Sequence, residues 1–224
     1  MDNQYTIRQQ IVAAGLVPLF YHDDPAVCLS VIKALYDADI RIIEFTNRGK
    51  HSVENFKQML IARNQSMPGL VLGVGTIKNA DDAARFIEAG AELLISPIFD
   101  EVVCDISDRY DILWIPGCMT PTEIQFAKNA GCTLIKLFPG NILGPTFIPA
   151  IRPLFPDLQF MVTGGVETSK ENLTEWFANG ADCVGMGSKL ITEELLAENK
   201  FSFITARVKE VREHIQSCRK KPLP

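Results

Sequence analysis

Short apolar segments alternate with longer amphipathic segments along most of the chain. Eight of the apolar segments have the length of a β-strand, and most are rich in Val, Ile and Leu, which is typical of strands covered on both faces. They lie at residues 16–20, 40–45, 70–74, 93–95, 112–115, 133–137, 159–162 and 183–186. The amphipathic segments between them predict helices.

Helix-boundary signals support this alternation. Helix starts are indicated at Asp24-Pro25, at Asn79 and at Thr120-Pro121, where Glu123 completes a capping-box pattern. Three glycines follow a helical segment and precede a strand, as residues at the C-terminal end of a helix often do: Gly90, Gly131 and Gly180.

Eight successive strand–helix units predict an α/β fold, a single (β/α)₈ TIM barrel that comprises residues 1–224 as one domain. An extra N-terminal helix near residues 3–14 is expected to close the bottom of the barrel, and residues 200–218 are expected to form the last long helix. An open, doubly wound sheet is the alternative fold.

The composition is that of an ordinary globular protein, with 47% hydrophobic and 22% charged residues. The net charge is −5, and the short basic run 219–221 is expected to be a solvated end, so we expect no nucleic-acid partner.

The six cysteines form no C-x-x-C pair and are expected to be buried, reduced thiols. Residues 1–4 are polar with no apolar segment behind them, and no apolar run is long enough to span a bilayer. We therefore expect a cytoplasmic protein without a signal peptide or membrane contact.

The second predicted strand carries a carboxylate near its C-terminal end, where TIM barrels place their active sites. Alternation places Glu44 on the same face as Ile42 and Thr46. An inward-facing Glu44 could act as a general acid and base. Alternatively, Glu44 could point to the solvent, or pair with Arg48 in a purely structural role.

The sixth predicted strand carries a lysine, Lys136, between apolar neighbours, and Pro139 follows soon after. Lysine is rarely buried without a functional reason. Burial disfavours the protonated form and makes the neutral amine available as a nucleophile. A structural lysine that reaches the barrel rim with its amine is the alternative.

Glycine-rich turns follow the seventh and eighth predicted strands, at Gly164-Gly165 and Gly187-Ser188. TIM barrels often bind phosphate in these two loops, because free backbone N–H groups suit a dianion. The alternative is that the glycines only allow tight turns. The three histidines have no metal-ligand spacing among themselves or with the cysteines, so no metal site is predicted.

From about Gly15 to Leu190 the chain resembles the 2-keto-3-deoxy-6-phosphogluconate aldolase family, which also includes 4-hydroxy-2-oxoglutarate aldolases. Six motifs occur in the order and spacing of that family. They are residues 43–48 (IEFTNR), 73–76 (GVGT), 95–97 (ISP), 115–117 (IPG), 135–139 (IKLFP) and 163–165 (TGG).

The resemblance implies a class I aldolase, in which Lys136 forms a Schiff base with the C2 ketone of the substrate and Glu44 transfers protons. The implied substrate is 2-keto-3-deoxy-6-phosphogluconate, cleaved to pyruvate and glyceraldehyde 3-phosphate. The enzyme is also expected to accept 4-hydroxy-2-oxoglutarate, which would give pyruvate and glyoxylate. The family chemistry needs no cofactor, and a homotrimer is expected.

The resemblance also implies roles for nine substrate-binding residues. Arg48 and Thr76 would hold the pyruvate carboxylate, and Phe138 would pack beside the iminium. Substrate contacts are also implied for Pro97 and Thr163, and the distal phosphate would be held by Gly164, Gly165, Gly187 and Ser188.

Three features depart from the family pattern near the substrate tail. The loop at residues 20–24 lacks an arginine that some relatives carry, Ile98 replaces a common glycine, and Gly140-Asn141 replaces a frequent Ala-Glu pair.

Two other classes of function stay open from the residues alone. Another phosphate-binding barrel is one, either a sugar-phosphate epimerase or a thiamine-phosphate synthase-like transferase. An epimerase of this type would require paired acids and metal-binding histidines at strand ends. A thiamine-type transferase would require a magnesium and a pyrophosphate site. A non-catalytic sugar-phosphate binder is the other, although a binder has no need of Glu44, Arg48 and Lys136 together.

Overall fold

The computed structural model describes residues 3–219, so Met1, Asp2 and the basic tail from Lys220 onward lie outside the described residues. The strands are β1 (Leu16–Phe20), β2 (Ile42–Thr46), β3 (Val71–Gly75), β4 (Leu93–Ile95), β5 (Leu113–Ile115), β6 (Gly117–Cys118), β7 (Leu134–Leu137), β8 (Gln159–Thr163) and β9 (Cys183–Met186). The helices are α1 (Asn3–Ala14), α2 (Pro25–Asp37), α3 (Ser52–Ser66), α4 (Ala80–Ala89), α5 (Glu101–Arg109), α6 (Pro121–Asn129), α7 (Gly140–Leu143), α8 (Phe147–Ile151), α9 (Lys170–Ala178), α10 (Glu193–Ala197) and α11 (Phe201–Arg219).

The strands form one parallel sheet in the order β5-β4-β3-β2-β1-β9-β8-β7-β6. The two ends of this order, β5 and β6, are separated in the chain only by Pro116. The sheet therefore closes on itself through a single interrupted strand, as in a (β/α)₈ barrel. The predicted TIM barrel is confirmed, and the open doubly wound sheet is excluded.

The fifth barrel strand differs from the prediction, which ended it at Ile115. The chain instead continues past Pro116 into Gly117–Cys118 and pairs with β7, so the barrel is completed by two short pieces. The carbonyl of Ile115 accepts from the N–H of Ser96 at 3.0 Å, and the carbonyl of Pro116 accepts from the N–H of Lys136 at 2.9 Å. Pro116 interrupts the strand because it has no N–H to donate. Its carbonyl still accepts a hydrogen bond from β7.

The core has an inner and an outer layer. Inside the barrel, inward side chains of the strands pack with Ile7 and Ile11 of α1, which confirms the helix that closes the barrel bottom. Between the sheet and the surrounding helices lies a larger layer that includes Ile43 and Phe45. Ile42 belongs to the inner layer, so the predicted alternation along β2 is confirmed, and Glu44 faces the barrel interior.

The predicted helix boundaries are largely confirmed. Asp24 and Asn79 cap α2 and α4, and Thr120 forms a capping box with Glu123 at the start of α6. Gly90 ends α4 with a φ of 102°, a conformation that glycine adopts without steric cost. No helix within residues 3–219 is long and apolar enough to cross a membrane.

The cysteines only partly match the prediction. All six are free, and four of them are buried, whereas Cys132 and Cys218 are partly exposed. Cys132 precedes β7 and Cys218 lies near the end of α11, positions where the barrel surface leaves the side chains incompletely covered.

Candidate active site

The two residues predicted to carry the chemistry meet inside the upper half of the barrel. Glu44 on β2 and Lys136 on β7 come from strands that are not neighbours in the sheet. Lys136 Nζ lies 3.7 Å from Glu44 Oε1, and the two residues are only 5% and 1% exposed. A buried lysine next to a buried carboxylate is costly to maintain unless it serves a function, so the alternatives of a solvent-facing Glu44 and a lysine at the rim do not hold.

The carboxylate of Glu44 is held on one side only. Oε1 faces Lys136, whereas Oε2 is buried without a hydrogen-bond partner among residues 3–219. Gly75 of β3 makes room for the side chain, because a Cβ at this position would overlap Oε1. An unsatisfied carboxylate oxygen is unfavourable in a folded protein, and it leaves an acceptor for a substrate hydroxyl or for a water.

Phe138 lies next to the lysine on the cleft side. Its ring centroid is 5.4 Å from Lys136 Nζ, and Phe138 follows the last residue of β7 and lines the cleft. An aromatic ring at this distance favours a cation and excludes water from it. This position is consistent with the role that the resemblance implies for Phe138.

A cleft of about 460 Å³ opens at the C-terminal ends of the strands, above Glu44 and Lys136. Seven of the predicted substrate-binding residues line it: Arg48, Phe138, Thr163, Gly164, Gly165, Gly187 and Ser188. Thr46 lines it as well, two residues beyond Glu44 on the same face of β2. The cleft is therefore lined by close neighbours of the buried pair, Thr46 and Phe138, while Glu44 and Lys136 lie just below its lining.

The turns after β8 and β9 present backbone donors to this cleft. Gly164 and Gly165 have φ values of 92° and 73°, which L-residues rarely adopt. Within residues 3–219, the N–H groups of Gly165 and Ser188 donate no hydrogen bond to another residue. Free N–H groups in a concave turn suit an anion, and α10 begins close by, with its first residue Glu193 also lining the cleft.

Arg48 stands at the mouth of the cleft with an exposed guanidinium. It forms no ion pair or side-chain hydrogen bond with the other residues between 3 and 219, so the alternative of a structural pair between Glu44 and Arg48 is wrong. The planar guanidinium is therefore available for a carboxylate, which it can bind through two parallel hydrogen bonds.

Thr76 and Pro97 lie at the same end of the barrel but outside this cleft, as far as residues 3–219 define it. Thr76 follows β3 and adopts a φ of 63°. Pro97 follows β4, and its backbone packs closely against Gly117 of β6. The adjacent Ser96 is fully buried and accepts a hydrogen bond from Trp114 Nε1 at 2.8 Å. The Ser-Pro motif therefore also supports the barrel wall.

A protein-family model described as KDPG and KHG aldolase matches residues 7–207. The chain belongs to this family. The abbreviations stand for 2-keto-3-deoxy-6-phosphogluconate and 4-hydroxy-2-oxoglutarate, so the predicted resemblance is confirmed. The predicted enzyme class, a carbon–carbon lyase of the aldolase type, is confirmed with it.

Individual relatives agree with this assignment. The 2-dehydro-3-deoxy-phosphogluconate aldolase of Dickeya dadantii (strain 3937) is 32% identical over 213 residues, which cover 94% of this chain and 97% of the relative. A probable 2-dehydro-3-deoxy-6-phosphogalactonate aldolase of Rhizobium meliloti (strain 1021) is 31% identical over 167 residues, or 74% of this chain and 76% of the relative.

A solved structure shows the same similarity in three dimensions. The KDPG aldolase from Legionella pneumophila, with pyruvate captured at low pH as a covalent carbinolamine intermediate, superposes with a TM-score of 0.81 at 26% identity. The superposition covers 90% of this chain and 96% of that structure. These findings favour an aldolase over the epimerase, the transferase and the non-catalytic binder.

The sequence did not identify several residues that line the cleft of this aldolase. The polar ones are Tyr21, Thr46, Lys189 and Glu193. Tyr21 directly follows β1, and this position was the available signal, because strand ends supply active-site residues in TIM barrels. The next residue, His22, does not line the cleft, and its Nδ1 accepts a hydrogen bond from the N–H of Asp24 at 3.0 Å.

No group of three or more His, Cys, Asp or Glu side chains within residues 3–219 is arranged to hold a metal ion. The buried pair, the free guanidinium and the free N–H groups are among the polar features that this end of the barrel offers to a substrate.

Proposed function

We propose that this family member is a class I aldolase that cleaves 2-keto-3-deoxy-6-phosphogluconate to pyruvate and glyceraldehyde 3-phosphate, with Lys136 as the Schiff-base residue. The observation that carries the proposal is the buried pair, in which Lys136 Nζ lies 3.7 Å from Glu44 Oε1 beneath an open cleft. A nucleophilic amine and a proton-transferring carboxylate within one site are what this chemistry needs.

Lys136 begins the reaction as a neutral amine. Its lone pair adds to the C2 ketone of the substrate to give a carbinolamine, which loses water and becomes a protonated iminium. The iminium withdraws electrons from the C3–C4 bond, so that this bond can break. The apolar inner layer below and the Phe138 ring beside the nitrogen keep bulk water from the iminium.

Glu44 transfers the protons in each step. The proton of the pair resides on Glu44 while Lys136 is neutral, and Glu44 donates it to the departing hydroxyl when the carbinolamine loses water. The carboxylate so formed later removes the proton of the C4 hydroxyl and returns it to C3 of the enamine. The C3–C4 electron pair then moves into the pyruvate enamine, and C4 leaves as an aldehyde. The enamine is protonated at C3, and water hydrolyses the resulting iminium to release pyruvate and free Lys136. The partner-free Oε2 of Glu44 is the oxygen that can reach the substrate, directly or through a water.

Different residues bind the two ends of the substrate. We assign the carboxylate of the pyruvate moiety to Arg48, whose guanidinium is free, with Thr76 and Pro97 at the neighbouring strand ends. The distal phosphate belongs to the turns after β8 and β9, where Gly165 and Ser188 have free N–H groups. Gly164 and Gly187 allow these turns, and Thr163, whose buried Oγ1 has no partner within residues 3–219, faces the substrate between the two ends.

The choice of substrate rests on the relatives together with the cleft. The Dickeya relative, named for the phosphogluconate substrate, aligns over nearly the whole chain, whereas the relative named for the phosphogalactonate substrate aligns over three quarters of it. We therefore place 2-keto-3-deoxy-6-phosphogluconate first. We propose 4-hydroxy-2-oxoglutarate as a second substrate, cleaved to pyruvate and glyoxylate, because the buried pair acts on the part that both substrates share.

The proposal extends to the oligomeric state of the protein and to its cellular compartment. We propose a homotrimer, supported by four exposed apolar side chains close to α5 and α6: Ile98, Val102, Met119 and Phe126. Exposed apolar patches often mark contacts between proteins. The six free thiols support a reducing compartment, and hence the cytoplasm. The chemistry proposed uses the side chains of the protein and no cofactor.

Trapping with borohydride tests the Schiff base directly. The protein is incubated with pyruvate and sodium borohydride, digested, and mapped by mass spectrometry. We expect a pyruvate-derived adduct on Lys136, loss of the adduct in Lys136→Met, and retention of the adduct in Lys128→Met, which changes a half-buried lysine on α6. A folded protein that cleaves its substrate without any adduct on Lys136 would refute the mechanism.

A further inference from the structure

The loops that follow β1 and β2 are joined by one tyrosine. We propose that Tyr21 is a positioning residue for substrate binding, which fixes the segment that carries Arg48 and so aims the guanidinium at the pyruvate carboxylate. The inference rests on the proposed function, because it takes Arg48 to be the residue that binds this carboxylate.

The ring of Tyr21 is wedged between the cleft and the core. Its centroid lies 5.5 Å from that of Phe45, a fully buried residue of β2, and Tyr21 also lines the cleft. On its other side the ring reaches the chain just after Arg48. A Cβ at Gly49 would overlap the hydroxyl of Tyr21, so the phenol lies directly against this backbone.

The hydroxyl of Tyr21 connects the two loops. It donates a hydrogen bond to Asp23 at 2.5 Å and also contacts the hydroxyl of Ser52 at the start of α3. Ser52 Oγ in turn donates to the carbonyl of Gly49 at 2.6 Å and accepts from its N–H at 3.1 Å. Burial and the neighbouring Asp23 raise the pKa of Tyr21 to about 12, so the phenol keeps its proton near neutral pH and remains a donor.

The far side of the first loop is fixed as well. Asn55 of α3 is buried, and its side-chain amide donates to the carbonyls of His22 at 3.1 Å and Asp23 at 2.9 Å. The loop that carries Tyr21 therefore cannot move without breaking its bonds to α3. Because the hydroxyl of Tyr21 lies against the backbone of Gly49, the fixed loop also restricts Gly49, one residue beyond Arg48.

This support matters because, in the described part of the chain, no contact fixes the guanidinium of Arg48. Within residues 3–219, Arg48 has no ion pair or side-chain hydrogen bond, and its backbone N–H donates to the carbonyl of Thr46 at 3.0 Å. The backbone from Thr46 to Gly49 therefore sets the point from which the free side chain reaches the carboxylate. If that segment loosens, binding a carboxylate must also restrict it, and the affinity falls. The distance between Lys136 and Glu44 does not depend on the backbone segment from Thr46 to Gly49.

The variant Tyr21→Phe tests the proposal, because it keeps the ring and removes only the hydroxyl. The readouts are the pyruvate concentration that gives half-maximal borohydride trapping, the maximal trapping rate, and KM and kcat for cleavage. We expect the half-saturating concentration and KM to rise by about two- to tenfold, the range that corresponds to one lost hydrogen bond. The maximal trapping rate and kcat should stay within about twofold of wild type.

Two further variants provide the controls. Tyr36→Phe removes a tyrosine hydroxyl that donates to the carbonyl of Pro68 at 3.1 Å, away from the cleft, and should leave the half-saturating pyruvate concentration unchanged. Asp23→Ala removes the acceptor of the Tyr21 hydroxyl from an exposed position and should raise that concentration in the same direction as Tyr21→Phe.

A double-variant cycle decides whether Tyr21 acts through Arg48. In an Arg48→Gln background the guanidinium is gone, so adding Tyr21→Phe should change the half-saturating concentration by less than about twofold. Fully additive effects, an unchanged Tyr21→Phe variant, or a loss confined to the maximal rate would each overturn the inference. Absence of a Lys136 adduct in the wild-type protein would instead refute the proposed function, and the two failures are thus distinguishable.

Discussion

The carboxylate of Glu44 occupies the space that a side chain at residue 75 would need. A Cβ on Gly75 would overlap Oε1 of Glu44, the oxygen that lies 3.7 Å from Lys136 Nζ. The glycine at the end of β3 is therefore part of the arrangement of the active site, even though it has no functional group.

The variant Gly75→Ala should displace the carboxylate of Glu44 from the lysine. Since general acid–base catalysis typically contributes about 10²–10⁴-fold, we expect kcat to fall by at least about 10²-fold. Gly131→Ala is the matched control, because a Cβ there contacts nothing within 4 Å, although its φ of 85° makes the substitution mildly destabilising. Steady-state cleavage rates of both variants test this, and a Gly75→Ala enzyme with normal kcat would contradict it.

Glu44→Gln should keep the shape of the side chain and remove proton transfer. We expect cleavage to slow by about 10²–10⁴-fold, while pyruvate still forms a trappable adduct at a reduced rate. Single-turnover cleavage and the time course of borohydride trapping measure the two effects separately. Glu44 would lose its assigned role if both rates matched those of the wild type.

Ser188→Asp should place a negative charge beside the proposed phosphate site. Repulsion between like charges is expected to raise KM for 2-keto-3-deoxy-6-phosphogluconate by at least about tenfold. KM for 2-keto-3-deoxygluconate, which lacks the phosphate, should change far less. Ser202→Asp on the exposed face of α11 is the control for added charge alone. Equal increases in KM for both substrates would place the phosphate elsewhere.

Ser96→Ala should destabilise the barrel wall. It leaves the buried Nε1 of Trp114 without its acceptor at 2.8 Å, and an unsatisfied buried donor costs about 1–3 kcal/mol in the free energy of unfolding. Urea unfolding measures this loss. Adding Trp114→Phe should cost less in the Ser96→Ala background than in the wild type, because the donor is already unpaired; strictly additive losses would argue against a coupled pair.

Phe126→Lys should weaken the proposed trimer. Phe126 is 55% exposed on α6, beside the half-buried Phe99, at a ring distance of 6.5 Å. Light scattering should give about three times the 24.9 kDa chain mass for the wild type and a smaller mass for the variant. Phe203→Lys on α11, where the side chain is 61% exposed, should leave the mass unchanged. A monomeric wild type would refute the proposed assembly.

Much of the fold and the central pair could be predicted from local patterns. Strands covered on both faces produce apolar runs that stand out between amphipathic helices, and this is why the barrel was predictable. Period-two alternation also indicates which residues share a face of the sheet, and it grouped Glu44 with Ile42 and Thr46. That this shared face is the inner one is seen only in the closed barrel, where Ile42 belongs to the inner layer. Lys136 was identifiable because a charged residue within such a run is exceptional.

Other features depend on contacts between distant segments and leave no local signal. The direction of Tyr21 is set by Asn55, more than thirty positions later, through bonds to the loop carbonyls. The continuation of the fifth strand past Pro116 depends on pairing with β7, whereas proline in isolation indicates that a strand ends. The approach of Glu44 to Lys136 requires closure of the whole barrel, because their strands are not neighbours.

The interruption at Pro116 also divides the enzyme into two halves with complementary chemistry. The segment before it carries Glu44 and Arg48, and the segment after it carries Lys136 and the glycine turns. A chain cut at this bend would yield two fragments, neither of which holds both members of the catalytic pair. Turnover from a mixture of the two could arise only from reconstituted barrels, so the bend is a natural place to build a split reporter of protein association.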